Sequence, residues 1–275
     1  MQEAQPPNTT PRQTGFGHSR RRVWIEIGGL LAAAASLIAL LVWMAGALAQ
    51  SGIAWIPLSV DESVGRAAWD SVAPPEKICK NPRVNAYVTE VAGALAPHFL
   101  SDFKFQFRVV DDDSVNAFAL PGGFVTVNMG LLKKAESGDE VAAVLAHELA
   151  HVVQRHGMRR GLRQLGGTAA IALVFGGTDI EAPAAVIGGL ASTAYDREQE
   201  AESDQLGREA LMKAGVSPFG MARFFERLQA DNAFTPPLLL STHPDPGNRA
   251  AAASAAAQGF QPTRSLPTPV GLSCE

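Results

Sequence analysis

Apolar and polar residues alternate with helix and strand periods along the middle of the chain. Between residues 83 and 99, five apolar residues fall on one face of a predicted helix: Val84, Tyr87, Val88, Val91 and Leu95. Strict alternation from 103 to 109 predicts a half-buried strand. Two short apolar segments, 116–120 and 124–128, flank Pro121-Gly122-Gly123, which predicts two strands joined by a tight turn. The second of these strands is either a sheet edge that accepts an extended peptide or part of an interior hairpin.

A further helix is predicted to begin after Ser137. Ser137 is a favourable N-cap, and Glu140 three residues later completes a capping box. The helix carries an apolar stripe made of Val141, Val144, Leu145, Leu149, Val152 and Val153. Gly157, directly after His156, is the expected C-cap.

The C-terminal half of the chain is predicted to be helical. Small apolar residues at 168–192 are interrupted by a polar segment, which predicts a buried or lid-like helical hairpin rather than a membrane span. A polar helix follows at 195–207, and residues 261–275 are a Pro-rich tail. Together these elements predict an α+β fold that is mainly helical, with a small antiparallel sheet, in a domain over 83–260.

The N-terminal part of the chain has a different composition. Residues 1–22 are polar and basic and are expected to be disordered, whereas 23–49 are mostly apolar. This apolar segment is either a transmembrane signal anchor or a cleavable signal peptide, and its length favours the anchor. Residues 50–82 are expected to be a linker leading into the domain.

Charge and cysteine content narrow the possible partners and compartment. The net charge is −4, and residues 1–22 hold four arginines against one glutamate, so the remaining chain carries −7. That balance argues against binding to nucleic acid. Cys79 and Cys274 are the two cysteines, and in an oxidising compartment they either pair or remain unrelated thiols.

His147-Glu148-Leu149-Ala150-His151 is the candidate chemical centre. Histidines at positions i and i+4 of a helix lie on one face, so both imidazoles can bind one Zn²⁺. Glu148 lies near the same face and can take a proton from a water bound there. A catalytic zinc needs a third protein ligand, and spacing alone leaves Glu198, Glu200 and Glu202 as candidates. His18, His98 and His156 are expected to have structural roles.

Four separated motifs resemble the gluzincin metallopeptidases of peptidase family M48. In chain order they are Asn116–Gly123, His147–His151, Arg197–Asp204 and Thr242-His243-Pro244. The family includes CAAX prenyl proteases, a bacterial heat-shock membrane protease and periplasmic proteases of envelope quality control. The chain departs from the usual motif at Asp196 and Ser203, two small changes beside the expected metal.

The resemblance implies a zincin-like metallopeptidase domain and a role for each motif residue. His147, His151 and Glu200 would bind one Zn²⁺, and Asp204 would orient a ligating imidazole. His243 would stabilise the transition state or occupy the open metal position. Arg249 would contact substrate or brace the loop. Residues of the strand after the turn would bind substrate as an added strand: Gly122, Gly123, Phe124, Val125 and Thr126.

The function implied is zinc-dependent cleavage of peptide bonds in misfolded or membrane-associated envelope proteins, with Glu148 as general base. The expected location is the bacterial inner membrane, with one span and the catalytic domain on the periplasmic side, or the periplasm after signal cleavage. A latent protease fold that acts as a binding or chaperone-like factor is the main alternative. A third possible function is that of a structural zinc protein, in which protein ligands fill every coordination position of the metal.

Overall fold

The computed structural model describes residues 23–37, 53, 56–163, 194–231, 238–243, 246–256 and 258–275. The chain forms two compact units, Met1–Ala47 and Leu48–Glu275. The predicted basic tail at 1–22 and the predicted hairpin at 168–192 lie outside the described residues.

In the first unit, residues 23–37 form a helix, α1. None of the helices in the described ranges is both long and apolar enough to cross a membrane. This finding overturns the predicted single-pass location in the inner membrane; residues 38–49 of the predicted segment lie outside the described residues.

The second unit contains a mixed sheet of three strands, not the predicted antiparallel one. The strands are β1 (Gln106–Val110), β2 (Ala117–Leu120) and β3 (Phe124–Asn128), in the order β1-β3-β2. β3 pairs in parallel with β1 and antiparallel with β2. Gly122 and Gly123 make the turn between β2 and β3 possible, because both have positive φ, at 81° and 97°.

β3 is the central strand of the sheet, so of the two alternatives that the sequence left for this strand, the interior position is the one that forms. All five of its residues are buried, as expected for a strand covered on both faces. β2 pairs with a strand on only one side in the described sheet and is therefore an edge strand.

Helices surround this sheet and form most of the second unit. They are α2 (Leu58–Val72), α3 (Pro82–Leu95), α4 (Met129–Lys134), α5 (Gly138–Val153), α6 (156–163), α7 (Arg197–Lys213), α8 (Phe219–Asp231), α9 (Leu238–Thr242) and α10 (Pro246–Ala256). Short 3₁₀ turns occupy Pro75–Lys77, Ala96–His98 and Pro121–Gly123.

α5 lies at the centre of the main hydrophobic core, where it packs against α3, α7, α8 and β2. Every residue of α5 from Glu140 to Val152 is buried. Ser137 caps the helix as predicted, accepting a hydrogen bond from the Glu140 N–H at 3.4 Å. The second half of the predicted capping box is absent, because the Glu140 carboxylate accepts from the Glu136 N–H and pairs with Arg227.

The segment predicted as a linker contains α2, which packs on the sheet. Val60, Val64 and Trp69 belong to a second hydrophobic cluster that includes Phe124 of β3. The Trp69 and Phe124 rings are 4.8 Å apart, and the Trp69 indole donates to Thr126 Oγ1 at 2.8 Å. Residues 58–72 are therefore part of the domain's core.

A disulfide joins Cys79 to Cys274, with the two Cα atoms 5.0 Å apart. The C-terminal segment is also attached through backbone hydrogen bonds from Thr263 and Arg264 to the Gly215 carbonyl, each 2.9 Å. The tail therefore closes a loop of 195 residues back to the start of the domain.

Removing this disulfide should lower the stability of the domain. For the double variant Cys79→Ser, Cys274→Ser we expect a loss of about 2–4 kcal/mol in the free energy of unfolding, because the unfolded chain regains the freedom of a long loop. Urea denaturation followed by circular dichroism measures this. Wild-type protein treated with a reductant is the control and should unfold with the double variant; equal midpoints for oxidised wild type and variant would contradict the prediction.

Candidate metal centre

α5 presents two imidazoles to one point inside the domain. His147 and His151 lie one turn apart and are buried, with 3% and 1% of their surface exposed. Their Nε2 atoms are 2.9 Å apart. Because the shared face of the helix is enclosed, both rings are held in place by packing.

α7 supplies the carboxylates that face these histidines. Its first turn is held by a complete capping box between Asp196 and Gln199. The helix crosses α5 at Gly207, where an added Cβ would lie 3.2 Å from backbone atoms of Ala146 and His147. Glycine therefore permits the close approach that brings the first two turns of α7 to the imidazoles.

The structure distinguishes the three glutamates that spacing left as candidates. The Glu200 carboxylate lies 3.5 Å from His147 Nε2 and 3.4 Å from His151 Nε2. Glu198 is exposed, and Glu202 points to His156, at 3.0 Å. Among these three, Glu200 is the one that joins the imidazole pair.

His243, directly after α9, completes the group. Its Nδ1 atom is 3.1 Å from His147 Nε2 and 2.9 Å from Glu200 Oε1. The ligand atoms of His147, His151, Glu200 and His243 all lie within 4.8 Å of one another, and all four residues are buried.

This group fits a zinc ion. Ligand atoms about 2.0–2.1 Å from a tetrahedral Zn²⁺ are about 3.3 Å apart, and the distances between His147, His151 and Glu200 atoms run from 2.9 to 3.5 Å. Burial and the neighbouring positive groups lower the pKa of His151, which favours the neutral imidazole that a metal requires.

A carboxylate and a guanidinium hold the metal-facing groups from behind. His147 Nδ1 lies 3.0 Å from Asp204 Oδ1, so its Nδ1–H donates there and leaves Nε2 free. Arg249 donates to both Asp204 oxygens at 2.8 Å and lies 2.6 Å from Glu200 Oε2. Burial by itself raises the pKa of Asp204, but hydrogen bonds from His147 and Arg249 outweigh it and hold the pKa below its usual range.

Arg249 therefore braces the ligands. Only 7% of its surface is exposed, and its guanidinium also contacts the His243 carbonyl at 3.5 Å. Of the two roles expected for Arg249, the structure favours the brace over the substrate contact.

Glu148 is fully buried beside the group, with Oε1 3.4 Å from His243 Nε2. Within the described part of the chain its carboxylate has no hydrogen bond of normal geometry, although the Ala119 N–H of β2 is among the groups that lower its pKa. Burial dominates and raises the pKa of Glu148. A buried carboxylate with a raised pKa is a stronger base than a solvated one, which suits it to proton transfer.

The residues predicted to bind substrate along β3 are buried in the central strand and in the turn that precedes it. Phe124, Val125 and Thr126 are interior residues of the central strand, and Thr126 is occupied by the Trp69 indole. An added Cβ on Gly122 would lie 2.5 Å from Glu62 Cα, so α2 covers the turn. Pairing with a substrate strand at these positions is excluded because β1 and β2 already occupy both sides of β3.

Two residues at the site were missed by sequence reasoning. The Tyr195 ring stacks on His151 with centroids 3.8 Å apart, and His156 Nδ1 lies 2.9 Å from His151 Nδ1. His156 was expected to precede the helix C-cap, but α5 ends at Val153 and a new helix begins at 156. Spacing gave no signal for this contact, because residues i and i+5 do not share a face of a continuous helix.

The sequence model of Peptidase family M48 matches residues 79–257. The chain is 31% identical over 201 residues to the beta-barrel assembly-enhancing protease of Escherichia coli K12, covering 67% of this chain and 41% of that protein. It is 30% identical over 154 residues to the mitochondrial metalloendopeptidase OMA1 of Schizosaccharomyces pombe, covering 54% and 46%. It is 29% identical over 170 residues to the metalloprotease LoiP of Escherichia coli K12, covering 59% and 66%.

These matches confirm the resemblance seen in the motifs and, with the buried group of four ligands, the predicted Zn²⁺ cofactor. The chain spans less than half the length of the beta-barrel assembly-enhancing proteases of Escherichia coli and Vibrio cholerae that it matches, at 41% and 48%.

Asp204→Asn should weaken zinc binding by about 10–100-fold, because the carboxylate that orients His147 and pairs with Arg249 is lost. Competition with a chromophoric zinc chelator measures the affinity. Asp70→Asn is the matched control, since Asp70 is an exposed carboxylate paired with Arg108 away from the site. Equal affinities in Asp204→Asn and wild type would contradict the role of Asp204.

Proposed function

Because the chain belongs to peptidase family M48, we propose that it is a zinc-dependent endopeptidase that hydrolyses peptide bonds in misfolded or membrane-associated envelope proteins. The observation that carries this proposal is the buried set of His147, His151 and Glu200 ligand atoms with Glu148 beside it. In this proposal the helical domain and its small sheet have a zincin-like organisation.

His147, His151 and Glu200 would hold the zinc. When bound, the ion would polarise the substrate carbonyl and lower the pKa of a water in the site. Glu148 would take the proton of the attacking water and pass it to the leaving nitrogen of the cleaved peptide bond. Its burial, its position beside His243 and the raised pKa of its carboxyl group support this role in proton transfer.

The outer edge of β2, which pairs with no strand in the described sheet, is where we propose that the substrate backbone binds. The Asn128 N–H donates to the Asn116 carbonyl at 3.0 Å, so residue 116 faces β3. Hydrogen-bonding direction alternates along an antiparallel strand, which turns the backbone groups of Ala117 and Ala119 away from β3. An extended peptide paired at Ala119 would bring its carbonyl next to Glu148.

The substrate class rests on relatives. One is named as a beta-barrel assembly-enhancing protease. We propose that this chain acts in the same kind of process, on proteins that fail to assemble in the envelope.

A latent protease fold is the second candidate, and the position of His243 favours it. His243 Nδ1 lies within 3.1 Å of both His147 and Glu200, where a fourth ligand would close the coordination sphere. If His243 stays there, water and substrate are kept from the metal, and the protein acts by binding unfolded chains. If His243 does not bind the metal, its Nε2, 3.4 Å from Glu148 Oε1, keeps it close enough to the site to stabilise the transition state.

Casein cleavage by the purified protein tests these candidates. We expect zinc-dependent cleavage that chelation abolishes, and at least about a 100-fold lower rate in Glu148→Gln because the general base is lost. Glu148→Gln should keep one zinc per chain, whereas Glu200→Gln should lose it.

Glu198→Gln provides a matched control for this experiment, since Glu198 is an exposed acid on the same helix as Glu200. Zinc-loaded wild type and Glu148→Gln that are equally inactive, yet equally able to suppress aggregation of an unfolded protein, would favour the latent binding protein and refute the peptidase.

A further inference from the structure

His151 contacts a second, enclosed histidine on the side away from the metal position. Its Nδ1 atom lies 2.9 Å from His156 Nδ1, and His156 is fully buried. The other nitrogen of His156 lies 3.0 Å from Glu202 Oε2, and Ser203 Oγ is 3.2 Å from its Nδ1. Three polar contacts on one buried ring set its orientation, which apolar packing alone would not do.

The tautomers of His151 and His156 follow from the way in which His151 would bind the metal. If His151 binds through Nε2, its Nδ1 carries the hydrogen and must donate it. His156 Nδ1 is then the acceptor, so the hydrogen of His156 is on Nε2 and is donated to Glu202. With the metal on His151 Nε2, each ring hydrogen of His151 and His156 then has an acceptor, on His156 and on Glu202 respectively.

The fold makes this contact by breaking the helix. Arg155 has a positive φ of 55°, which ends α5 and turns the chain so that His156 returns beneath His151. Such a conformation is unfavourable for arginine. It is held by Asp61 of α2, which accepts from Arg155 Nε at 3.0 Å, and by the Ile53 and Ile56 carbonyls.

We propose that His156 is a positioning residue for the zinc ligand His151, relaying the orienting effect of Glu202. This inference rests on the proposed zinc site and adds a residue to it. His147 is oriented directly by the Asp204 carboxylate at 3.0 Å, whereas His151 reaches its carboxylate through one intervening imidazole.

The test compares zinc affinities of His156→Phe and His156→Asn by chelator competition, with the absorption spectrum of the Co²⁺-loaded forms as a second signal. His156→Phe keeps a ring but removes the acceptor, so we expect affinity to fall about 10–100-fold and the Co²⁺ bands to shift. His156→Asn places an amide oxygen near the position of Nδ1 and should recover most of the affinity. His98→Asn is the matched control, because His98 lies in the 3₁₀ turn after α3.

Thermal unfolding of the metal-free proteins separates positioning from folding. His156→Phe with wild-type zinc affinity and an unchanged Co²⁺ spectrum would overturn the inference. Equal losses of affinity in His156→Phe and His156→Asn, accompanied by equal losses of metal-free stability, would also overturn it and leave a purely structural histidine. Wild-type protein that binds no zinc would refute the proposed function itself, and the inference with it.

Discussion

The close crossing of α5 and α7 is the constraint on which the candidate site depends. Gly207 leaves room for the helices to touch, because a Cβ at this position would lie 3.2 Å from the Ala146 backbone. At that separation Glu200 and Asp204 reach the two nitrogens of His147 from opposite sides. Metal–ligand distances tolerate deviations of about 0.2 Å, so a slightly wider crossing would weaken all these contacts together.

Buried charges around the site are balanced in pairs. Asp204 lies between His147 and Arg249, and the same guanidinium reaches Glu200. Removing one partner of a buried pair typically costs about 3–5 kcal/mol, whereas replacing both with apolar residues is often harmless. These residues are therefore better explained by the geometry that they impose on the imidazoles than by stability. Glu148 faces His243 Nε2 at 3.4 Å without a hydrogen bond of normal geometry among the described residues.

Sheet order and the extent of the domain were not predictable from local patterns. Periodicity correctly located the strands that became β1, β2 and β3, but whether β3 is central or at an edge depends on which distant strand pairs with it. β1 occupies the side of β3 that the sequence left open to a peptide. Prolines around α2 suggested a linker, yet Val60, Val64 and Ala68 have helical spacing and pack on the sheet. This apolar stripe identifies α2 as a core helix only once the sheet that it packs against is known.

The sequence by itself determined the helix that carries the metal-binding motif, its Ser137 cap and the pairing of His147 with His151, because helical spacing and capping are local properties. The resemblance then selected Glu200, and the structure brings that carboxylate to the imidazoles. Tertiary structure decided which residues surround them. His156 reaches His151 because the helix breaks at Arg155, and that break depends on a carboxylate almost a hundred residues away in α2. Contacts of this kind depend on how separate elements cross and turn, which no local pattern of residues encodes.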